Sequence, residues 1–193
     1  MGALEPEPRP RNPALKSSSM LTLPNLFSFA RIVLIVPFIL LLERKEYDYA
    51  FWVYVVAAVT NALDGAAARL LHQRSTLGTY LDPAADKLFM TAAFLALGVL
   101  GVLPLWLVGL VILRDVVIVV GLLILRLSSR RPEIRPSLIS KGTTLFQLLM
   151  IGAAVEFQAG NWFRESLVVL TAAGTVISGL QYIAKGIKIL RTG

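Results

Sequence analysis

Residues 61–86 read NALDGAAARLLHQRSTLGTYLDPAAD, and this stretch decides the fold class of the chain. Asn61 and Asp64 are three positions apart, and Asp82 and Asp86 are four apart, so each pair lies on one face of a helix. Both pairs fall in segments apolar enough to cross a bilayer, where ionisable residues are costly and usually functional. Two such acidic ridges, if they face each other, form an oxygen-lined cage suited to hard divalent cations, above all Mg²⁺.

A purely structural interpretation of these carboxylates is also open. Asp82 precedes Pro83, as a helix N-cap would, and Asp64 could pair with Arg69. That interpretation does not account for the small residues between the carboxylates, which let a ligand approach the backbone closely. These are Gly65, Ala66, Ala67, Ala68 and Gly78. The pattern therefore favours a metal site.

The composition is that of a membrane protein. Hydrophobic residues make up 56% of the chain, charged residues make up 16%, and the mean hydropathy is +0.70. Ordinary soluble domains carry about 25% charged residues. The net charge of +7 on so apolar a chain indicates contact with anionic lipid headgroups more than with nucleic acid. The chain contains no cysteine, which excludes disulfides and thiolate metal ligands.

Hydropathy predicts an all-α integral membrane bundle of six transmembrane helices, since a span takes roughly 20 apolar residues. The predicted spans are 24–42, 50–71, 83–102, 104–127, 142–160 and 166–188. The second and third carry the acidic ridges at their adjoining ends, joined by the polar loop 72–79.

The basic residues are distributed unequally between the two sides of this bundle. One side carries Arg44, Lys45 and Arg164. The other carries the N-terminal tail and Arg69, Arg74, Arg126, Arg130, Arg131, Arg135, Lys141, Lys185, Lys188 and Arg191. By the positive-inside rule, the N- and C-termini and the acidic ridges face the cytoplasm.

The first 20 residues differ from the rest of the chain. They are rich in proline, charge and serine, a composition that cannot bury a core. We expect residues 1–20 to be a disordered tail or a vector remnant, with Met20 as a candidate natural start. Residues 21–193 then form a single six-helix domain.

The motif of residues 61–86 resembles the signature of the CDP-alcohol phosphotransferase family, which is Asp-x2-Asp-Gly-x2-Ala-Arg-x8-Gly-x3-Asp-x3-Asp. The chain matches every position except the first, where it has Asn61. The resemblance in hydrophobic layout covers about residues 21–190. It implies metal-dependent transfer of a phosphatidyl group from CDP-diacylglycerol to an alcohol, with release of CMP.

The resemblance also implies a role for each matching position. Asp64, Asp82 and residue 61 would hold two metal ions, Mg²⁺ or Mn²⁺. Asp86 would contribute to the second ion and act as the general base on the acceptor hydroxyl. The cytidine and diphosphate would be bordered by Gly65, Ala68, Arg69 and Gly78.

The departure at Asn61 puts the metal assignment in question. An amide oxygen can bind a cation, but it supplies no negative charge to a site that holds two dications. We therefore expect this chain to be an impaired variant of the enzyme, much less active than its Asn61→Asp form. A pseudoenzyme that binds the CDP-lipid without turnover is the alternative from outside the enzyme class. A cation transporter is disfavoured, because the carboxylates cluster at one face rather than along a path.

Three basic residues are candidates for binding substrate phosphates. Arg114 lies mid-helix in the fourth span, where it could bind a second phosphate or pair with Asp115. Lys141 opens the fifth span. Arg31 either snorkels to the interface or reaches the diphosphate.

The acceptor alcohol separates two branches of the family that share a start like Leu23-Pro24-Asn25-Leu26 with Arg31. One branch makes phosphatidylglycerophosphate from glycerol 3-phosphate, and typically has Arg-Glu in the fourth helix with a second Arg eight positions after the first. Here the pair is Arg114-Asp115, and Leu122 fills the later place. This chain is more similar to the branch that makes cardiolipin from phosphatidylglycerol. The resemblance further implies a homodimer in a bacterial inner membrane, or in the inner membrane of an organelle.

Overall fold

The computed structural model describes the backbone of residues 23–70, 78–127, 138–157 and 160–191. Within these ranges, side chains are not described at 23–25, 62–70, 78–82, 122, 125–127 and 190–191. The expected tail at 1–20 lies outside the described residues, as do most of the polar loop and the side chains of Arg126, Arg130, Arg131 and Arg135.

Six α-helices make up the regular secondary structure of the described residues. They are α1 (Leu23–Glu43), α2 (Tyr47–Leu70), α3 (Gly78–Val99), α4 (Leu105–Leu127), α5 (Leu138–Glu156) and α6 (Trp162–Arg191). The prediction of an all-helical chain with six helices is confirmed, and each predicted span overlaps one of them.

The main difference in boundaries is at the start of α3. Hydropathy places the start of this span at Pro83, whereas the helix begins at Gly78, with Pro83 inside it. Asp82 therefore lies in the fifth position of α3 rather than at its N-cap. Polar residues in the first turn lower the hydropathy of a helix without preventing its formation, so hydropathy alone misses that turn.

Three of the described helices have an apolar stretch long enough to cross a bilayer. These stretches are Leu26–Glu43 in α1, Leu138–Glu156 in α5 and Trp162–Ile189 in α6. The other three helices carry the charged residues of the acidic motif in α2 and α3, and the Arg114–Asp115 pair in α4.

The helices pack as two groups of three. In the first group, α1 lies against both α2 and α3, and in the second, α6 lies against both α4 and α5. Contacts of α2 with α5, and of α3 with α4 and α5, join the groups. A buried apolar cluster that includes Phe38, Phe89, Phe94, Leu97 and Met150 fills the space between them.

Small residues lie at several close contacts between helices. Ala57 and Ala93 are buried, and a Cβ added to Gly174 would lie 3.1 Å from the Thr143 hydroxyl across the α5–α6 contact. A Cβ at Gly98 would come within 2.8 Å of Val108 Cγ2. Such close contacts are typical of helix packing in lipid.

Tight turns close the end of the bundle away from the acidic ridges. Gly101 has a φ of +71° and donates from its N–H to the Gly98 carbonyl, so the α3–α4 turn uses the left-handed conformation that glycine adopts freely. The buried guanidinium of Arg164, at the start of α6, donates to the carbonyl oxygens of Val102 and Phe157. The α3–α4 turn and the α5–α6 connection are thereby held together.

Candidate functional site

The two acidic ridges lie on continuous helices that adjoin in the chain. Asn61 and Asp64 belong to the last three turns of α2, and Asp82 and Asp86 belong to the first three turns of α3. Each pair therefore lies within one continuous helix, which the i, i+3 and i, i+4 spacings require if the pair is to share a helix face. Since the described backbone breaks only at 71–77 between these helices, both ridges lie at the same end of the α2–α3 pair.

A direct hydrogen bond joins the two ridges. Asn61 Nδ2 donates to Asp86 Oδ1 at 2.9 Å, and both side chains are partly buried. The bond spans 25 positions of sequence, so it is a contact between helices and not a local one. The carboxamide and the carboxylate are close enough to share a ligand, and this fits the predicted convergence of the ridges.

Arg31 lies inside the bundle and not at its surface. Its side chain is 1% exposed, and it interacts electrostatically with Asp86. Of the two possibilities left open by the sequence, snorkelling to the interface does not fit this position. A cation from α1 therefore lies next to the acidic ridge of α3.

Arg114, in the middle of α4, is held by groups from three helices. Nη1 donates to Asp115 Oδ1 at 2.9 Å, and Nη2 donates to the hydroxyl oxygens of Ser140 in α5 and Ser178 in α6 at 2.8 and 2.9 Å. The guanidinium carbon also lies 6.0 Å from the centre of the Tyr182 ring, within the range of a cation–π contact. The structure thus places Arg114 in a buried polar cluster with Asp115 as its counter-ion.

Sequence reasoning missed Lys87. This residue follows Asp86 in α3, interacts electrostatically with it, and forms a salt bridge with Asp115 Oδ2 of α4. The salt bridge links the acidic ridge of α3 to the Arg114 cluster. A signal was present in the sequence, because Lys87 is a charged residue within an otherwise apolar stretch of α3.

The other predicted site residues divide into two sets. Lys141 is described, and its exposed side chain lies in the first turn of α5, next to Ser140 of the Arg114 cluster. Asp64, Gly65, Ala68 and Arg69 lie on α2, and Gly78 and Asp82 lie on α3, with their side chains outside the described part.

The side chains that are described fit part of a metal site. Asn61 and Asp86 both present oxygen ligands, the kind that Mg²⁺ and Mn²⁺ prefer. Among the described side chains no three His, Cys, Asp or Glu cluster closely enough to hold an ion. The side chains of Asp64 and Asp82, which the predicted metal site also requires, lie outside the described part.

Comparison with known proteins gives the family of this chain. Residues 21–177 match the model of the CDP-alcohol phosphatidyltransferase domain. The chain belongs to the CDP-alcohol phosphatidyltransferase family. The resemblance of the motif at 61–86 is thereby confirmed, and so is the assignment of the chain to a family of enzymes that act on CDP-linked alcohols.

Curated relatives carry names from two branches of this family. The chain is 35% identical over 187 residues to the "Cardiolipin synthase (CMP-forming) / mitochondrial hydrolase fusion protein" of Schizosaccharomyces pombe, covering 85% of this chain and 31% of the relative. It is 28% identical over 190 residues to the "Cardiolipin synthase (CMP-forming)" of Homo sapiens, covering 88% and 63%. It is 31% identical over 175 residues to a "Probable phosphatidylglycerophosphate synthase" of Mycobacterium tuberculosis, covering 86% and 82%. The chain therefore spans less than two thirds of the length of the first two relatives.

Proposed function

We propose that the chain transfers the phosphatidyl group of CDP-diacylglycerol to the free hydroxyl of phosphatidylglycerol, giving cardiolipin and CMP. The observation that carries this proposal is the hydrogen bond between Asn61 and Asp86, which brings together the two helices of the family motif. The motif otherwise has its full set of carboxylates, Asp64, Asp82 and Asp86.

In this proposal, Asp86 accepts the proton of the acceptor hydroxyl as that oxygen attacks the phosphatidyl phosphorus. The bond from phosphorus to the CMP oxygen breaks, and CMP leaves with the bonding electron pair. Bound Mg²⁺ or Mn²⁺ would neutralise charge on the phosphate oxygens and on the leaving CMP. Asp64, Asp82, Asp86 and the Asn61 carbonyl oxygen would hold the two ions.

Other motif residues would bind the donor. Gly65 and Gly78 carry no side chain, so they let the cytidine and the diphosphate approach the backbone closely. Ala68 and Arg69 would border the same ligand. Arg31 is buried beside Asp86 and would bind the diphosphate of the donor once it has entered.

The choice of phosphatidylglycerol as acceptor rests on Arg114 and on the relatives. The guanidinium of Arg114 already donates hydrogen bonds to Asp115, Ser140 and Ser178. Leu122 occupies the position at which the other branch has its second arginine. Two of the relatives described above are named cardiolipin synthase. Lys141, exposed at the start of α5, would contact the phosphate of the acceptor lipid.

Glycerol 3-phosphate is the second candidate acceptor. The relative named phosphatidylglycerophosphate synthase matches this chain over 82% of its own length, a larger share than either relative named cardiolipin synthase. Under this alternative, Arg114 and the basic residues around the connection from α4 to α5 would take the place of the missing second arginine. These basic residues are Arg126, Arg130, Arg131, Arg135 and Lys141.

Asn61 should impair the activity. It removes one anionic ligand from a site for two dications, and its amide N–H already bonds the proposed general base. If the site binds CDP-diacylglycerol but never turns it over, the chain is a pseudoenzyme.

In this proposal the whole domain from residue 21 onward is an integral membrane bundle, and all six helices span the membrane. Both termini and the acidic site face the cytoplasm, in agreement with the excess of Lys and Arg on that side. The membrane is a bacterial inner membrane, or the inner membrane of an organelle, and the enzyme works as a homodimer.

The test is CMP release by the purified Asn61→Asp form with CDP-diacylglycerol, Mg²⁺ or Mn²⁺, and each acceptor separately. Release with phosphatidylglycerol alone is the expected result, and Asp86→Asn in the same background is the inactive control. Release of CMP with glycerol 3-phosphate alone would show that glycerol 3-phosphate, the second candidate, is the acceptor. Equal rates for the parent and the Asn61→Asp form would show that residue 61 is not a metal ligand.

A further inference from the structure

Asp115 neutralises two cations at once. Its Oδ2 accepts the salt bridge from Lys87 of α3, and its Oδ1 accepts the hydrogen bond from Arg114 Nη1 at 2.9 Å. The side chains of Asp115 and Arg114 are 12% and 8% exposed, so water screens this pair little, whereas the Lys87 side chain is 38% exposed and its salt bridge is screened more. Each carboxylate oxygen binds one basic side chain.

These cations lie beside the proposed catalytic site and not in a remote part of the bundle. Lys87 is the next residue after Asp86, and the two interact electrostatically. Arg114 lies one salt bridge further on, since Asp115 binds both Lys87 and Arg114. Together with Arg31 of α1, which also interacts with Asp86, these are the described cations nearest to the proposed general base along the chain of contacts.

The hydrogen-bonding pattern of Arg114 bears on what kind of anion could bind. A guanidinium binds a phosphate best when two of its N–H groups on one edge are available together. Here Nη1 already donates to Asp115, and Nη2 donates to both Ser140 and Ser178. A phosphate would have to compete with a carboxylate that the fold already positions.

We propose that Asp115 is a specificity-determining residue that disfavours acceptors with a phosphomonoester dianion by neutralising Lys87 and Arg114. An acceptor whose phosphate is a diester loses less binding free energy, since it carries a single negative charge and the Coulomb energy scales with charge. This inference rests on the proposed function, because it concerns the acceptor of the same reaction.

The test is equilibrium binding of two water-soluble probes to the purified chain in detergent, with Mg²⁺ present and at a pH where the monoester is fully ionised. The probes are glycerol 3-phosphate, a monoester dianion, and glycerophosphoglycerol, a diester monoanion. Asp115 has the same sign of charge as the phosphate, and a charge about 4–6 Å away shifts an equilibrium of an ionised group by roughly one to three factors of ten. Asp115→Asn should therefore bind glycerol 3-phosphate at least about tenfold more tightly than the parent, and glycerophosphoglycerol by about the square root of that factor.

Two variants serve as controls. Asp115→Glu keeps the charge and should leave the ratio of the two affinities within about twofold of the parent value. Asp48→Asn makes the same carboxylate-to-amide change on an exposed residue in the first turn of α2, and should change neither affinity.

Removing one partner of a buried ion pair can destabilise the fold. If Asp115→Asn does not elute as a single species, Asp115→Ser is measured in its place. That form also removes the carboxylate and keeps both cations, and its hydroxyl can still accept a hydrogen bond from one of them. It should again bind glycerol 3-phosphate more tightly than the parent.

The proposal is overturned if the folded carboxylate-free variant binds glycerol 3-phosphate no more tightly than the parent. It is also overturned if the affinity for both probes rises by the same factor. The proposed function is judged separately, by CMP release from the Asn61→Asp form with each acceptor. If that form uses glycerol 3-phosphate alone, the proposed acceptor is refuted. The role of Asp115 is still decided by the ratio of the affinities for glycerol 3-phosphate and glycerophosphoglycerol.

Discussion

Replacing Asn61 by Asp should make the fold of the chain dependent on divalent cations. In the parent, the Asn61 amide donates a hydrogen bond to Asp86 Oδ1 at 2.9 Å. A hydrogen bond to a charged group contributes about 1.5–3 kcal/mol. Asn61→Asp removes this bond and puts a second carboxylate in its place.

The size of this loss of stability can be estimated from the same distance of 2.9 Å between residue 61 and Asp86. Two carboxylates at that separation repel by about 6 kcal/mol at an effective dielectric constant of about 20, and proton uptake and side-chain movement relieve much of it. We therefore expect the free energy of unfolding of the metal-free Asn61→Asp form to be at least about 2 kcal/mol lower than that of the parent. For a chain of this size, that lowers the melting temperature by about 4–8 °C.

Divalent cations should reverse the order of stability. A cation between the two carboxylates turns their repulsion into shared coordination, and it stabilises the folded state by mass action. The assay is thermal unfolding in detergent, in EDTA and at increasing concentrations of Mg²⁺ or Mn²⁺. The folded fraction that remains after heating is measured by size-exclusion chromatography. The Asn61→Asp form should melt below the parent in EDTA and above it at saturating metal.

Asn61→Ala is the matched control, since it removes the hydrogen bond without adding charge. It should melt below the parent in EDTA by the cost of the lost hydrogen bond but above the Asn61→Asp form, and it should gain no more from metal than the parent does. Equal melting temperatures of the parent and the Asn61→Asp form in EDTA would contradict the expectation that residue 61 faces Asp86. An equal gain from metal in all three forms would show that residue 61 is not a ligand.

Three further predictions concern helix packing and structural hydrogen bonds. They can be tested by melting temperature and CMP release in the Asn61→Asp background. Gly98→Ala should lower the melting temperature, because its Cβ would lie 2.8 Å from Val108 Cγ2, and the added Val108→Ala change should restore part of the loss. Tyr54→Phe removes the 2.6 Å hydrogen bond to the Leu148 carbonyl and should cost about 1 kcal/mol of stability, seen as a lower melting temperature. Arg164→Ala should cost about 1–3 kcal/mol and leave the rate per folded enzyme unchanged, and a specific loss of rate would contradict its structural role at the far end of the bundle.

The features that depend on local spacing could be predicted from the sequence. The pairs Asn61–Asp64 and Asp82–Asp86 share a helix face because three and four residues make about one turn, whatever the tertiary structure. The six helices could be predicted for a similar reason, because each contains an apolar segment bounded by polar or turn-forming residues. The family signature, which is itself a set of fixed spacings, led to the family that the comparisons show.

The features that depend on which helices are neighbours could not be predicted. The salt bridge between Lys87 and Asp115 requires α3 and α4 to pack with one particular rotation, and neither hydropathy nor spacing specifies it. The position of Arg31 was left open for the same reason, since an arginine near a helix end can reach either the interface or the interior. It lies in the interior because α1 packs against α3, which carries Asp86.

The polar cluster of α3, α4, α5 and α6 shows how such a bundle can tolerate charge in an apolar environment. The charges alternate in sign from Asp86 to Lys87, Asp115 and Arg114, so each charged group has an opposite charge next to it. Buried pairs of this kind add little net stability, because desolvation offsets most of the attraction. They do penalise alternative packings, since a rotation of α4 that moved Asp115 away from Lys87 of α3 would separate the two opposite charges. The salt bridge between Lys87 and Asp115 therefore favours one rotation of α4 against α3, the helix that carries Asp86, and Lys87 and Asp115 contribute in this way to the frame of the acidic site.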